Sequence, residues 1–178
     1  MLPELFQFGG GLAQRQAVSS LLACNSLTNR FALTLTAQQA AQLVETRTQA
    51  LKETGRVEFG GGMLEKLIRE FCDSPYLSQR DYVETLEELT ELFYYYKNET
   101  LEQLSDEELI AFMKNSFDGK CQGSLDLLRH RELENMARSV RYGEPEEEED
   151  MDEDLSCLNP WEDLVDWNPY YDWGAWDE

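Results

Sequence analysis

The cysteine best placed for chemistry is Cys121, which lies in the segment "FDGKCQGSL" between Gly119 and Gly123, just before a predicted helix. A helix N-terminus can lower the pKa of a thiol and so create a nucleophile. The single histidine of the chain, His130, follows nine residues later, which is about 2.5 turns along the same helix. The two side chains therefore point in different directions, and a loop or buried thiol is favoured over a catalytic one.

Carboxylates raise the separate question of a metal site. The five that could converge in a helical core are Glu45, Glu58, Asp73, Glu84 and Asp118. A di-iron bundle needs Glu-x-x-His motifs on two helices, and one histidine cannot supply both. We therefore expect these acids to lie on solvated helix faces, with no bound metal and no cofactor.

Three further acids, Asp150, Asp152 and Asp154, are spaced like the first ligands of an EF-hand calcium loop. Such a loop requires glycine at its sixth position and glutamate at its twelfth, where this chain has Leu155 and Trp161. The surrounding "GEPEEEEDMDEDLS" is instead typical of a self-repelling, extended spacer.

Two glycine triplets, "FGGGL" at residues 8–12 and "FGGGM" at residues 59–63, each precede a predicted helix. Consecutive glycines can direct backbone N–H groups toward an anion at a helix N-terminus, so a phosphate site is one interpretation. Neither copy has the Lys and Ser/Thr of a P-loop, and neither follows a solid strand. A tight turn or a close approach of helices is therefore the favoured interpretation.

Three tyrosines in a row, Tyr94, Tyr95 and Tyr96, form a candidate surface patch within "FYYYK". Consecutive residues of a helix are about 100° apart, so at least one of the rings must be exposed or lie at an interface. Ordinary partial burial of amphipathic rings is the alternative.

The strongest candidate for a binding segment is the C-terminal sequence "NPWEDLVDWNPYYDWGAWDE", residues 159–178, which holds all four tryptophans of the chain. Its initial Asn-Pro pair can start a short helical turn that places Trp161, Leu164 and Val165 on one face. Aromatic anchors usually dominate the energetics of interfaces. The predicted partner-binding residues are Trp161, Leu164, Trp167, Tyr170, Tyr171, Trp173 and Trp176.

Charge divides the chain after Gly143. Residues 144–178 contain 15 acidic and no basic residues, whereas residues 1–143 hold 21 acidic and all 15 basic ones. With a net charge of −21, the chain is expected to avoid nucleic acids and anionic membranes. A protein with a basic or apolar groove is the expected partner. We divide the chain into a helical domain (1–143), an acidic linker (144–158) and an aromatic interaction segment (159–178).

Helix signals dominate the first 143 residues and predict a mainly α fold, an irregular bundle of about six helices. Capping boxes begin two of them, at Thr36 with Gln39 and at Ser105 with Glu108. The predicted helices cover residues 12–26, 37–54, 63–72, 79–97, 106–117 and 125–142, with Ser78 and Ser124 as further starts. The last helix has an apolar stripe over Leu125, Leu128, Met136 and Val140. Extended pieces at "RFALTL" and "RVEF" would add at most a minor two-stranded β element.

The predicted location is the cytoplasm. The four cysteines are widely spaced without a C-x-x-C pair, which argues against a disulfide or zinc scaffold. The N-terminal sequence lacks the basic region of a signal peptide, and no segment approaches the ~18 apolar residues of a spanning helix.

Four segments in this order, "GRVEFGGG", "FCDSPY", "FYYYKNE" and "FDGKCQGSLDLL", resemble an uncharacterised protein family of unknown function associated with anaerobic Firmicutes. The resemblance covers roughly residues 5–143 and implies a bacterial cytoplasmic protein. Since that family has no known activity, the resemblance assigns no catalytic residue.

Three functions are consistent with this organisation. A non-enzymatic adaptor or regulatory protein that presents its C-terminal segment ranks first. In the second, the segment docks on its own domain and covers a small-molecule or catalytic site near "FGGG" or "FYYYK". In the third, the chain is a nucleic-acid-mimicking inhibitor whose carboxylates imitate phosphates and whose rings imitate bases. Only the second suits an enzyme, so enzymatic activity is disfavoured.

Overall fold

Helices provide all the regular structure of the described residues. The computed structural model describes the backbone of residues 4–143 and the side chains of residues 11–143. The helices are α1 (Glu4–Ala23), α2 (Asn25–Thr28), α3 (Ala37–Thr54), α4 (Gly62–Phe71), α5 (Tyr82–Glu99), α6 (Asp106–Asp118), α7 (Leu125–Leu127) and α8 (Glu134–Tyr142), with a 3-10 turn at Asn29–Phe31 and a π-helical segment at Leu128–Leu133. None of these helices combines the length and the apolar character that a bilayer span requires. Because α2 is one turn and α7 continues through the π segment into α8, six principal helices result, which confirms the predicted mainly α bundle.

Neither predicted extended segment forms a strand in the described chain. In the first, "RFALTL", two side-chain amides take the place of a neighbouring strand. Asn25 Nδ2 donates to the Leu35 carbonyl and Asn25 Oδ1 accepts from the Leu35 N–H, both at 2.8 Å. Gln79 makes the equivalent pair of bonds with Thr34, at 2.7 and 3.0 Å. Because the backbone is satisfied in this way, the expected two-stranded element is wrong.

Three predicted helix starts are observed. The Thr36 hydroxyl accepts from the Gln39 N–H while the Gln39 side chain accepts from the Thr36 N–H, which is a complete capping box. Ser105 and Glu108 form the same box at α6, and Ser124 caps α7. Each box pairs two N–H groups that a helix start would otherwise leave without partners.

The start predicted at Ser78 is wrong, because the chain makes a turn there before α5 begins. The Ser78 hydroxyl donates to the Asp81 carboxylate at 3.2 Å, and the Asp81 N–H donates to the Ser78 carbonyl at 3.2 Å. Asp81 makes no side-chain capping bond of its own. The helix therefore begins at Tyr82.

The two glycine triplets have different structures, although the sequence predicts the same role for both. The first lies inside α1, which begins at Glu4, and Gly11 does not adopt a positive φ. In the second, Gly60 and Gly62 have φ of +59° and +52°. Because a regular α-helix requires negative φ, only the second triplet forms the predicted turn before a helix.

The π-helical segment, Leu128–Leu133, changes which residues of the last helix reach the core. Its i→i+5 hydrogen bonds place residues five apart above one another, so Leu128 and Leu133 are both 0 % exposed. Beyond it, the predicted stripe residues Met136 and Val140 are only partly buried. Ala137 is buried in their place.

Two apolar clusters make up the core, and α4 and α5 contribute to both. In α4, Leu67 packs in one cluster and Leu64 in the other. In α5, Phe93 belongs to the first and Leu86 to the second. The first cluster also contains Ala50 of α3 and residues of α6 and the last helix, and the second contains residues of α1 and α3. The helix pair α4–α5 is therefore the shared wall on which the other elements pack.

Glycine substitutions offer a test of the turn after α6. Gly123 has φ +83°, and a Cβ there would lie 2.6 Å from the Tyr76 Cβ. Gly55 has φ +68° with nothing within 4 Å of a Cβ. Gly55→Ala should lower the free energy of unfolding by about 1–2 kcal/mol through the left-handed backbone alone. Gly123→Ala should cost about 1–3 kcal/mol more, because Tyr76 must move. Urea denaturation followed by circular dichroism measures both, and equal losses would contradict the close contact.

Candidate binding groove

An open groove of about 1500 Å³ follows α3 and α5. One wall is formed by residues 44–58, which comprise most of α3 and the loop after it. The facing wall is formed by residues of α5, and Ala13 and Gln14 of α1 close one part of the lining. This "α3–α5 groove" brings together two motifs that are remote in sequence, "RVEF" and "FYYYK".

The tyrosine triplet contributes one exposed ring to this groove. Tyr95 is 56 % exposed, whereas Tyr94 and Tyr96 are 1 % and 3 % exposed. The three-ring surface patch expected from the sequence is therefore not formed. The physical reason is that other parts of the bundle pack against α5 on both sides of Tyr95. Tyr94 and Tyr96 lie about 100° to either side of Tyr95 on the helix, so their rings point into those two contacts. Tyr96 does not line the groove, because it points toward the last helix, where its hydroxyl donates to the Arg129 carbonyl at 2.7 Å.

Glu58 connects the groove wall to the start of α4. Its Oε2 accepts a hydrogen bond from the Tyr94 hydroxyl at 2.7 Å and another from the Met63 N–H at 3.1 Å. The first N–H groups of a helix have no partner within the helix and favour an anion. The carboxylate of Glu58 takes that position, so the loop supplies its own anion where the glycine-rich sequence could have held a phosphate.

The backbone conformation at Gly62 makes this arrangement possible. A Cβ on Gly62 would lie 2.5 Å from Glu58 Oε2 and 2.9 Å from Arg47 Nη1, and the residue has φ +52°. A side chain at this position would therefore meet both charged groups as well as the strain of a left-handed backbone. The second glycine triplet therefore allows the side chains of Glu58 and Arg47 to lie close to the start of α4.

Tyr94 acts as a fixed hydrogen-bond donor in this cluster. Burial raises its pKa, and the neighbouring carboxylate of Glu58 raises the pKa further, because both disfavour a phenolate. The phenol therefore stays protonated and donates to Glu58 rather than serving as a base.

Arg47 lies against the same loop and is 5 % exposed. Its Nη1 donates to the Gly60 carbonyl at 2.8 Å, which ties α3 to the glycine-rich turn. Its Nε is buried and has no acceptor among the described residues. Leaving a buried donor unpaired costs on the order of 1–3 kcal/mol, so this N–H is a position where an added acceptor would stabilise the groove.

Beside this cluster, Arg56 and Lys97 meet on Asp106. Arg56 Nη2 lies 3.4 Å and Lys97 Nζ 2.9 Å from Asp106 Oδ1. Burial alone would raise the pKa of Asp106, but the hydrogen bond and charge of Lys97, together with Arg56, hold that pKa below its usual value. Lys97 also donates to the Leu104 carbonyl. These contacts join the loop after α3 to the start of α6.

The thiols of the described chain are poorly suited to nucleophilic chemistry. Cys121 lies in the predicted turn but is 2 % exposed, and burial, followed by the charge of Glu132, raises its pKa. Burial likewise raises the pKa of Cys24 and of Cys72. The environment of each thiol thus opposes the thiolate that a nucleophile requires.

Two of the five carboxylates weighed as metal ligands meet at a lysine instead. Lys114 Nζ lies 2.9 Å from Asp73 Oδ1 and also pairs with Asp118. Asp118 accepts a further hydrogen bond from the Ser74 hydroxyl at 2.5 Å. Within residues 11–143, no group of three or more His, Cys, Asp or Glu side chains is arranged to hold a metal ion.

The binding segment predicted at the C-terminus, residues 159–178, lies outside the described residues, as does the acidic linker, residues 144–158. Its candidate anchors are therefore placed by sequence alone. They are Trp161, Leu164, Trp167, Tyr170, Tyr171, Trp173 and Trp176. The acids of the calcium-like spacing, Asp150, Asp152 and Asp154, also fall outside the described part.

Sequence reasoning did not identify Arg47 and Glu58 as one cluster, although "RVEF" carries a signal. Its apolar side chains point outward, since Val57 is 78 % and Phe59 84 % exposed, while Arg56 and Glu58 are partly buried. Apolar residues normally alternate toward the core. In this segment the alternation is reversed, because the charged side chains form bonds within the bundle and the apolar ones face outward.

The comparison with known families covers the elements that build the groove. A family model described as "Family of unknown function (DUF6323)" matches residues 20–146, which include α3, α4 and α5. The search of curated proteins gives no significant match. The search of solved structures gives none either.

The bond between Tyr94 and Glu58 can be tested against its exposed neighbour. Tyr94→Phe removes the only hydroxyl that donates to this carboxylate among the described side chains and should lower the free energy of unfolding by about 1.5–3 kcal/mol. Tyr95→Phe alters an exposed ring with no hydrogen bond in the described chain and should change it by less than about 0.5 kcal/mol. Denaturation in urea compares the two, and similar losses would rule out a stabilising role for the buried bond.

Alkaline pH should destabilise the bundle. Burial, followed by the charge of Glu134, raises the pKa of Tyr96 to about 12, and burial raises the pKa of Tyr82 as well. Since an unfolded tyrosine ionises near pH 10, this stabilisation is complete below about pH 10 and is lost as pH rises toward the folded pKa. Absorbance at 295 nm should show a delayed phase of ionisation coinciding with loss of helical circular dichroism. A single phase with intact helices would contradict the burial of these phenols.

Proposed function

Because the chain belongs to the family of unknown function DUF6323, we propose its function from its own residues: a non-enzymatic adaptor or regulatory protein that presents residues 159–178 to another protein. The family membership agrees with the resemblance seen in the sequence and assigns no activity. The proposal extends to a bacterial, cytoplasmic protein. The free thiols of Cys24, Cys72 and Cys121 support a reducing compartment.

The observation that carries the proposal is the segregation of aromatic and acidic residues along the chain. All four tryptophans lie between residues 161 and 176, and residues 144–178 hold 15 acids without one basic residue. Tryptophan and tyrosine supply large contact areas and often dominate binding energy. Acidic residues around them favour a partner with a basic groove and speed association with it.

The bundle supports this interpretation because its core is filled without tryptophan. Its largest fully buried side chains are tyrosine, phenylalanine, leucine and isoleucine, and they include Tyr82, Phe71 and Phe93. The thiols with raised pKa and the carboxylates engaged by Lys114 and Tyr94 favour a non-enzymatic function.

Scrambling the order of residues 159–178 in the full chain tests the proposal while keeping length, composition and the net charge of −21. Affinity capture with the natural chain should retain a protein that the scrambled chain does not. With that protein purified, the scrambled chain should bind about tenfold or more weakly, because anchor residues dominate interfaces. The emission of the four tryptophans should shift to the blue when the natural chain binds, since the rings leave water.

Equal binding by natural and scrambled chains would show that charge alone causes the association and would overturn the proposal. So would tryptophan emission that remains unchanged when the captured protein binds. The natural chain could also emit at shorter wavelength than a synthetic peptide of residues 144–178 before any partner is added. That result would instead favour a segment that docks on its own domain.

A further inference from the structure

We propose that the α3–α5 groove is a second protein-binding surface, which receives a Lys/Arg-rich amphipathic segment of a partner. The inference rests on described residues of the bundle and does not depend on residues 144–178. Two independent features carry it: an apolar edge and a stripe of carboxylates without ion pairs.

The apolar edge is formed by Val57, Phe59 and Tyr95. Val57 and Tyr95 line the groove, and Phe59 follows in the same loop. They are 78 %, 84 % and 56 % exposed. Exposed apolar side chains grouped in this way are typical of contact surfaces rather than of ordinary solvated loops.

The loop that displays this edge is held in place from behind. Arg47 donates to the Gly60 carbonyl at 2.8 Å, and Glu58 is bonded to Tyr94 and to the start of α4. These contacts fix the alternate residues of the loop, so Val57 and Phe59 are directed outward by the same bonds. A surface organised before binding loses less conformational entropy when a partner arrives.

The carboxylate stripe runs along the exposed face of α5 and reaches the groove lining at Glu91 and Tyr95. Glu84, Glu88, Glu91 and Tyr95 recur at spacings of four, three and four residues, which places them on one face of a helix. All four are exposed. None of the three glutamates forms an ion pair with a described residue. The stripe spans about 17 Å at 1.5 Å per residue, a length that matches about three turns of a helical partner.

The net charge of the side chains that line the groove has the same sign as the stripe. The groove's exposed charged residues are Glu45, Lys52, Glu53 and Glu91, which give a net charge of −2. Glu45 also lacks an ion pair with the described chain. A surface that is acidic and apolar repels phosphates and fits a segment that carries Lys or Arg beside apolar residues.

The two features fit one occupant. The stripe attracts the basic residues of a bound segment, and the edge contacts its apolar residues.

The experiment measures binding of a fluorescein-labelled 18-residue peptide of leucine and lysine, arranged as an amphipathic helix, to the full chain by anisotropy at about 0.1 M salt. Glu91→Lys reverses a charge in the groove, and Glu70→Lys makes the same change on an exposed position of α4 that has no ion pair in the described chain. Glu91→Lys should weaken binding about fivefold or more relative to Glu70→Lys, because nearby opposite charges are lost where the peptide lies.

The apolar edge is tested with the pair Val57→Ser and Phe59→Ser combined, compared with Leu127→Ser on α7, which is 42 % exposed. The combined variant should weaken binding about tenfold, and the control should leave it unchanged. Circular dichroism verifies that each variant is folded, which is expected because the changed side chains are exposed.

Equal weakening by Glu91→Lys and Glu70→Lys would show that the peptide responds only to net charge and would overturn the proposal. Full binding by the Val57/Phe59 variant would overturn it as well. Since residues 159–178 are unchanged in every variant, neither result bears on the proposed function of that segment.

Discussion

The burial of α5 on two sides at once is the constraint on which the rest of the structure depends. Its residues Leu86 and Phe93 belong to different apolar clusters, which contain residues of different helices. A helix enclosed in this way has a narrow face left for solvent, and that face carries Glu84, Glu88 and Tyr95. The carboxylate stripe on that face and the single exposed ring of the tyrosine triplet are both consequences of how α5 packs.

The same packing requires partners for polar groups on the enclosed sides. Tyr94 and Tyr96 each place a hydroxyl inside the bundle, where an unpaired donor is costly. One hydroxyl is paired by Glu58 and the other by the Arg129 carbonyl. The first of these pairs also fixes the loop after α3, in which Val57 and Phe59 point outward on either side of Glu58. Core packing and surface character are therefore coupled through one carboxylate.

Local signals in the sequence were enough to predict the helices and several of their starts. The capping boxes at Thr36 and Ser105 involve residues three positions apart, so their chemistry is readable along the chain. The predicted strand at "RFALTL" failed because Asn25 and Gln79 bond to its backbone from 10 and 45 residues away. Side-chain amides that replace a β partner over such separations leave no periodic pattern.

The candidate groove was predictable only in part. The exposure of one ring of the tyrosine triplet follows from helical geometry, and Tyr95 is that ring. Glu58 and Tyr94 are 36 residues apart, so their bond depends on how α3, α4 and α5 pack. The inward direction of Glu58 is the opposite of what apolar alternation predicts, and the need to occupy the start of α4 overrides that alternation.

The π-helical segment Leu128–Leu133 has a consequence for how this chain can vary in length. Loss of one residue there would convert its i→i+5 hydrogen bonds to the i→i+4 bonds of a regular α-helix, so the residues after it would keep their faces. Ala137 would stay in the core, and Arg141 would stay beside Glu99, with which it pairs. In a regular α-helix, by contrast, loss of one residue rotates everything after it by about 100°. We therefore expect this stretch to accept a single-residue deletion more readily than the other helices.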